Sequence, residues 1–413
     1  MTTTFPPYIK IAKQIQSCFK EDMIEHLAKT SGFVRRNTSR LTGMNFLLMN
    51  VFDTTTCNER SLNDCCDWLE EHFDVHLTKQ SLDERYNEGA VKFIKTCFCH
   101  VFAKLTESVS KSLVNVPFTV VQLVDSTSFS LPSNLAEHYA GNGGDGGPSF
   151  VKIHLNYNLL NGMVQDIFIT DGKANDNLYK FGSGEQIQIG GLYIRDLGYY
   201  DVEYFYTLDE KGAYFLSRAK SNTVFYIKDD QGKFKRIELE EQLPESGGIN
   251  QIENLFIGKG KKKVKVRLIL ESVPQDVVEQ RLKKMEAKAK RNKREVSDQS
   301  KKMAEFNVFI TNANQKDLPT ELVRIIYTLR WQIELIFKIW KSVFDLNKVK
   351  TMKIERFECY LYSKLIAILL TMHLQNQFKM ELWNEQKVEL SDIKAAKQVK
   401  KNATNNESNT QGS

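Results

Sequence analysis

The chain has 413 residues, 41% of them apolar and 26% charged. That is enough for two or three domains with a sizeable core, and too ordinary a mixture for a collagen-like, disulfide-scaffold or wholly disordered protein. A net charge of +6 permits an anionic partner without demanding one, so the distribution of charge carries the information.

Residues 1–115 read as a helical region, with apolar residues three and four apart and no useful strand-like alternation. Ser61-Leu-Asn-Asp64 has the layout of a capping box ahead of CCDWLEEHF, and Thr78 can cap a second helix running through SLDERYNEGAVKFIKTCF. Helix, short turn, helix can lay its second helix in a DNA major groove, with Lys79, Gln80, Arg85 and Asn87 near its start. The same shape also describes helices that only pack. Cys97-x-Cys99-His100 is too closely spaced on a helix for a zinc site. The seven cysteines have no repeated spacing and read as buried residues of a reduced compartment.

At Val116 the texture changes to strands. Thr119–Asp125 (TVVQLVD) is a near-continuous apolar run, a strand buried on both faces with an acid at its exit, and SFSLP then leaves the strand. KIHLNYNLL and MVQDIFIT flank Asn161-Gly162, a two-residue hairpin signal. The Gly-rich link before them lacks a Walker lysine and is weak evidence for nucleotide binding. GLYIRD delivers a second acid, Asp196, and is followed by a helix from Val202 and the strand AYFLSRAK. These elements describe an α/β core, residues 116–221, in which Asp125 and Asp196 lie side by side at strand ends.

Residues 222–275 alternate around turns and read as a β-rich insertion. The run from Glu279 to Met303 is a Lys/Arg-rich helix suited to phosphate contact. FNVFITN returns to strand character. The stretch YTLRWQIELIFKIWK then reads as one helix from Tyr327 to Lys341. At ~100° per residue, Tyr327, Arg330, Glu334 and Lys341 fall within about 60° of one another, opposite an apolar stripe of Leu329, Ile333, Ile336, Phe337, Trp340 and Phe344. Charges at helical spacing are ordinarily a solvated face. Here they can also present a metal ligand and phosphate-binding groups. A last apolar helix, Glu355 to Phe378, closes the region 276–380. No segment approaches the roughly 20 apolar residues that span a bilayer, and no leader peptide is apparent, so the expected location is the cytoplasm. Residues 381–413 are a polar, flexible tail.

Asp125, Asp196 and Glu334 together form a hard oxygen donor set for a pair of Mg²⁺ ions of the kind that cleaves phosphodiesters. Arg330 would engage phosphate as a planar fork and Lys341 as a point charge. These residues also match a family. Tyr327, Arg330, Glu334 and Lys341 stand in the signature Y-x(2)-R-x(3)-E-x(6)-K, DSTSFSL at Asp125 is similar to a first-acid motif, and RDLGYYD at Asp196 is similar to a second-acid motif. Over residues 60–375 the chain resembles the DDE transposases of bacterial insertion sequences.

The resemblance implies an RNase H-like mixed-sheet core after a helical DNA-binding region. It implies Asp125, Asp196 and Glu334 as catalytic residues holding two Mg²⁺ ions, for which Mn²⁺ substitutes. Tyr327, Arg330, Lys341, Lys338 and Trp331 are the implied DNA contacts. The implied activity is cut-and-paste transposition at terminal inverted repeats into target DNA, by a dimer in the DNA complex that is nucleoid-associated when bound and makes no use of a membrane. Family members that pass through a DNA hairpin hold a flipped base on aromatic residues, often a Trp in the insertion. Trp68, Trp331, Trp340 and Trp383 all lie outside it, leaving Phe225, Tyr226, Phe234 or Phe256 to substitute. The competing readings are a nuclease on the same core that cuts without joining, and a DNA-binding descendant that no longer cuts.

Overall fold

A computed structural model describes residues 13–397, apart from residues 14, 36–39, 54–60, 107–116, 144–146, 175–186, 221, 239–247, 294 and 387–390. The tail expected from residue 381 begins later, because helix continues to Gln386 and residues 391–397 are also described; the residues beyond 397 lie outside the described ones. The N-terminal region contains α1 (Glu21–Thr30), α2 (Gly43–Leu48), α3 (Leu62–Phe73), α4 (Lys79–Arg85) and α5 (Glu88–Thr106). The capping box forms: Ser61 Oγ accepts from the Asp64 N–H, and Asp64 Oδ2 accepts from the Ser61 N–H. Thr78 caps α4 through the Ser81 N–H.

The helix expected from Thr78 through Phe98 is in fact two. Asn87 Oδ1 accepts the Ala90 N–H and starts α5 afresh, because a short polar side chain that satisfies an orphan donor competes with helix propagation. Lys79 and Gln80 are exposed, but α4 carries only seven residues.

The strands are β1 (Val121–Ser130), β2 (Phe150–Asn158), β3 (Met163–Asp171), β4 (Leu192–Arg195), β5 (Tyr214–Arg218), β6 (Phe225–Lys228), β7 (Phe234–Ile237), β8 (Ile249–Lys259), β9 (Lys262–Ser272) and β10 (Phe306–Thr311). They form one ten-stranded sheet in the order β3-β2-β1-β4-β5-β10-β9-β8-β6-β7. The pairs β1–β4 and β4–β5 are parallel and the remaining pairs antiparallel. An antiparallel β1–β2–β3 meander followed by two parallel strands is the RNase H-like arrangement. The strands of the β-rich stretch continue the same sheet through the β9–β10 pairing.

Two expectations change here. β1 does not end at Asp125: β2 pairs with it from Gln122 to Ser130, so the ladder carries the chain five residues further and Asp125 is a mid-strand residue. The β2–β3 hairpin turns through residues 159–162 rather than through two residues. Gly162 there has φ 70°, and a Cβ on it would stand 2.8 Å from Asn376 Cγ.

The remaining helices are α6 (Val202–Glu210), α7 (Gln275–Arg291), α8 (Asp298–Met303), α9 (Thr320–Thr328), α10 (Trp331–Ser342) and α11 (Ile354–Gln386). The basic run is thus split between α7 and α8. Lys293 adopts a left-handed φ of 52°, and Ser297 caps the second piece through the Ser300 N–H. α11 is the one helix among the described residues long and apolar enough to cross a membrane, which corrects the expectation that no segment approaches this. Of its most apolar window 72% is buried, and it packs most heavily against α5. It is a core helix.

Candidate functional site: three carboxylates around one guanidinium

Side chains alternate along a strand, so register decides which ones meet. Val124 pairs with Arg195 across the parallel β1–β4 ladder, which sets Asp125 beside the next residue, Asp196. Leu123 and Ile194, two residues earlier on each strand, are fully buried on the same face. α10 packs against β1 and is anchored by Ile333, Phe337, Ile339 and Trp340, all buried.

The single helix expected from Tyr327 to Lys341 is broken. Leu329, Arg330, Gln332 and Ile333 each donate to the carbonyl three residues back, at 2.9–3.2 Å, a tightened turn that separates α9 from α10. The consequence is a different use of the four signature residues. Tyr327 turns inward, with its ring 5.2 Å from Phe309, and burial pushes its hydroxyl up to about 12, Asp196 adding to the effect.

Arg330 lies at the start of α10 and reaches all three acids. Its Nη1 is 3.3 Å from Asp125 Oδ2 and 2.8 Å from Glu334 Oε1, and its Nε is 3.8 Å from Asp196 Oδ1. The guanidinium is 10% exposed. Burial works against its charge, but Asp196 and the Glu334 hydrogen bond outweigh that, and its pKa lies above the ordinary value. Burial pushes the Asp125 carboxyl up to about 6. The Ser126 N–H, which donates to Oδ1 at 2.8 Å, and Arg330 oppose the rise, while Asp196 and Glu334 reinforce it.

Lys341 stands apart from the acids. Its Nζ donates to the Ser128 carbonyl at 2.9 Å, tying the far end of α10 to β1, and burial lowers its pKa. Trp331 is 59% exposed, with the Arg330 guanidinium 5.6 Å from its ring. Lys338 is exposed on the same helix.

The donor set fits a hard divalent cation: oxygen ligands only, converging on one cationic group in a partly buried notch. Among the described residues no three Asp, Glu, His or Cys side chains already stand as a metal cage. The carboxylates are drawn to Arg330 instead.

A second feature was only half visible in the sequence: Tyr226, Phe234 and Phe256 were named there, but not the lysines that pair with them. Tyr226 pairs with Phe256 and Lys228 with Phe234 across β6, and Phe256 pairs with Lys265. On this surface the Lys263 ammonium sits 3.8 Å from the Tyr226 ring, and Lys228 sits 5.3 and 5.2 Å from the rings of Phe234 and Phe256. Two residues beyond Lys265, Arg267 hydrogen-bonds Thr320 and the carbonyl of Ala313 beside α9, so these groups extend the sheet face that carries the acids. The available signal was strand alternation combined with register. Phe225, one of the aromatics named from sequence, is buried on the opposite face.

Residues 117–370 match the family model of the transposase DDE domain. The chain is 32% identical over 406 residues to the transposase of insertion sequence element IS1151 from Clostridium perfringens, covering 93% of this chain and 84% of that protein. It is also 32% identical over 405 residues to the transposase of IS231F from Bacillus thuringiensis subsp. israelensis, covering 93% and 83%. The chain belongs to the DDE transposase family.

A DDE transposase is a DNA-cleaving and strand-transfer enzyme, and members of the family work with a divalent metal. The fold is also similar to that of the piggyBac transposase in its synaptic complex with hairpin DNA, with a TM-score of 0.51 at 10% identity over 97% of this chain and 80% of that one. The β3-β2-β1-β4-β5 half of the sheet, with α10 laid across β1, is thus the core of a DDE transposase.

Proposed function

We propose that the protein moves an insertion sequence by cut-and-paste transposition, cutting at terminal inverted repeats and joining the ends to target DNA. The observation that carries this reading is the convergence of Asp125, Asp196 and Glu334 on a single guanidinium. Three acids from two strands and a helix that meet at one point are suited to sharing a cation.

Asp125, Asp196 and Glu334 would hold two Mg²⁺ ions, with Mn²⁺ able to substitute. Such a pair supplies charge stabilisation for the attacking and leaving oxygens of an in-line displacement. Arg330 grips the phosphate by its fork, and Lys341 adds a point charge further along β1. Tyr327 backs Arg330 from the buried side. Trp331 and Lys338, exposed beside the notch, contact the strand, Trp331 by stacking. The Lys-aromatic surface of β6–β9 receives the DNA that runs on from the cleavage point. Water and then the freed 3′-hydroxyl act as nucleophiles. The enzyme works as a dimer on chromosomal DNA in the cytoplasm, in association with the nucleoid. The proposed units are residues 1–115, 116–221, 222–275, 276–380 and 381–413, with α11 running past the last boundary to Gln386.

Glu334→Gln tests the assignment: it abolishes Mg²⁺-dependent strand cleavage and leaves binding of the element's ends largely intact. Full cleavage by that variant would sink the reading. Pre-cut ends supplied with a target plasmid yield joined product, which a pure nuclease does not form.

A further inference from the structure

We infer that Arg330 is a resident counter-cation that keeps divalent ions out of the site until a DNA phosphate draws it away. The inference rests on the assignment of the three acids as metal ligands. It goes further by making metal loading conditional on DNA.

The geometry leads there in three steps. The guanidinium takes up one oxygen of each carboxylate: one nitrogen is shared between Asp125 Oδ2 and Glu334 Oε1, and another faces Asp196 Oδ1 at 3.8 Å. An ion using those oxygens must either displace Arg330 or sit against its positive charge. Exclusion is therefore built into the DNA-free arrangement.

Arg330 is also held in place. It is 10% exposed, the first residue ahead of α10, and fixed by the tightened turn at Leu329. A surface arginine could swing clear at little cost, but this buried one leaves three half-buried partners.

The third step is release. A guanidinium fork matches a phosphate bidentately as well as it matches a carboxylate. A scissile phosphate entering beside Trp331 offers Arg330 a new anion just as the acids are freed for metal. Because coupling between two ligands is reciprocal, DNA raises metal affinity by the same factor that metal raises DNA affinity. The enzyme then carries no armed metal centre while it is away from DNA.

The test uses the full chain without DNA and Mn²⁺ as the probe, with binding followed by electron paramagnetic resonance. Arg330→Gln binds Mn²⁺ about 10-fold or more tightly than the wild type, within the usual range of such couplings. Arg330→Lys, which keeps a charge but cannot span two carboxylates, falls between them. Circular dichroism establishes that each variant is folded, and the lysine variant decides the matter if the glutamine variant is not. Mn²⁺ affinity unchanged or weaker in the folded variants overturns the inference. Adding Asp125→Asn to Arg330→Gln removes the tight binding. Tight binding that survives Asp125→Asn instead places the ion elsewhere, and it is then the assignment of the acids that fails. Loss in the double variant together with no gain in Arg330→Gln leaves that assignment standing and removes only the gate.

Discussion

At Asp125 burial and charge conflict. Its carboxyl titrates near 6, against about 3.9 for an unperturbed aspartate. Between those pH values the folded protein holds the proton more readily than the unfolded chain, so ionising Asp125 costs stability as pH rises through the interval. Asp125→Asn removes the charge while Arg330 keeps Asp196 and Glu334 as partners. In metal-free buffer at pH 8 the variant melts above the wild type, by on the order of 2 °C. The gap closes by pH 4, where the wild-type carboxyl is also protonated. Thermal melts at the two pH values read this directly, and a variant that melts lower at pH 8 would mean that Arg330 stabilises the ionised Asp125 more than burial opposes it.

At the scale of elements, much of the site was legible and some was hidden for definite reasons. Asp125 and Asp196 stood out because each follows an apolar run, and Glu334 because Arg330, Glu334 and Lys341 keep helical spacing. The break at Leu329 was invisible, since a turn built on carbonyls three residues back preserves the apolar periodicity on either side of it. That break is what buries Tyr327 and swings Arg330 onto the acids. The extension of β1 was hidden by the serines of SFSLP, although Thr127 and Phe129 continue the buried alternation. α10 depends in turn on Trp340, which is fully buried. Trp340→Ala lowers stability by about 3–5 kcal/mol in urea unfolding and loosens the helix that carries Glu334. Trp340→Phe costs clearly less. It removes less volume, and it also deletes an indole N–H that meets no acceptor among the described residues. Equal losses in the two variants would show that the helix is not held by this packing.

For the whole molecule, the decisive feature is that ten strands form one sheet. Sequence alternation marks a strand but not its neighbours, so the β-rich stretch could equally have folded as a separate unit. Its attachment through β9 and β10 instead extends the face bearing Asp125 and Asp196 past Arg267 to Lys265, Lys263, Lys228 and their aromatic partners. On the proposed function, a duplex held at the acids would meet a second positive surface on the same side, whose lysines pair with none of the three acids. Neutralising Lys228, Lys263 and Lys265 to Gln weakens DNA binding and reduces the slope of log affinity against log salt by about 0.9 for each phosphate that a lysine no longer neutralises. Cleavage at saturating DNA stays near the wild-type rate, because these lysines touch none of the three acids. Titrations across a salt series separate the cases: an unchanged slope takes β6–β9 off the DNA path, and a lost cleavage rate at saturation ties the surface to the site itself. An unchanged cleavage rate with a reduced slope would establish a division of labour along one continuous sheet, with chemistry at β1 and β4 and grip at β6–β9.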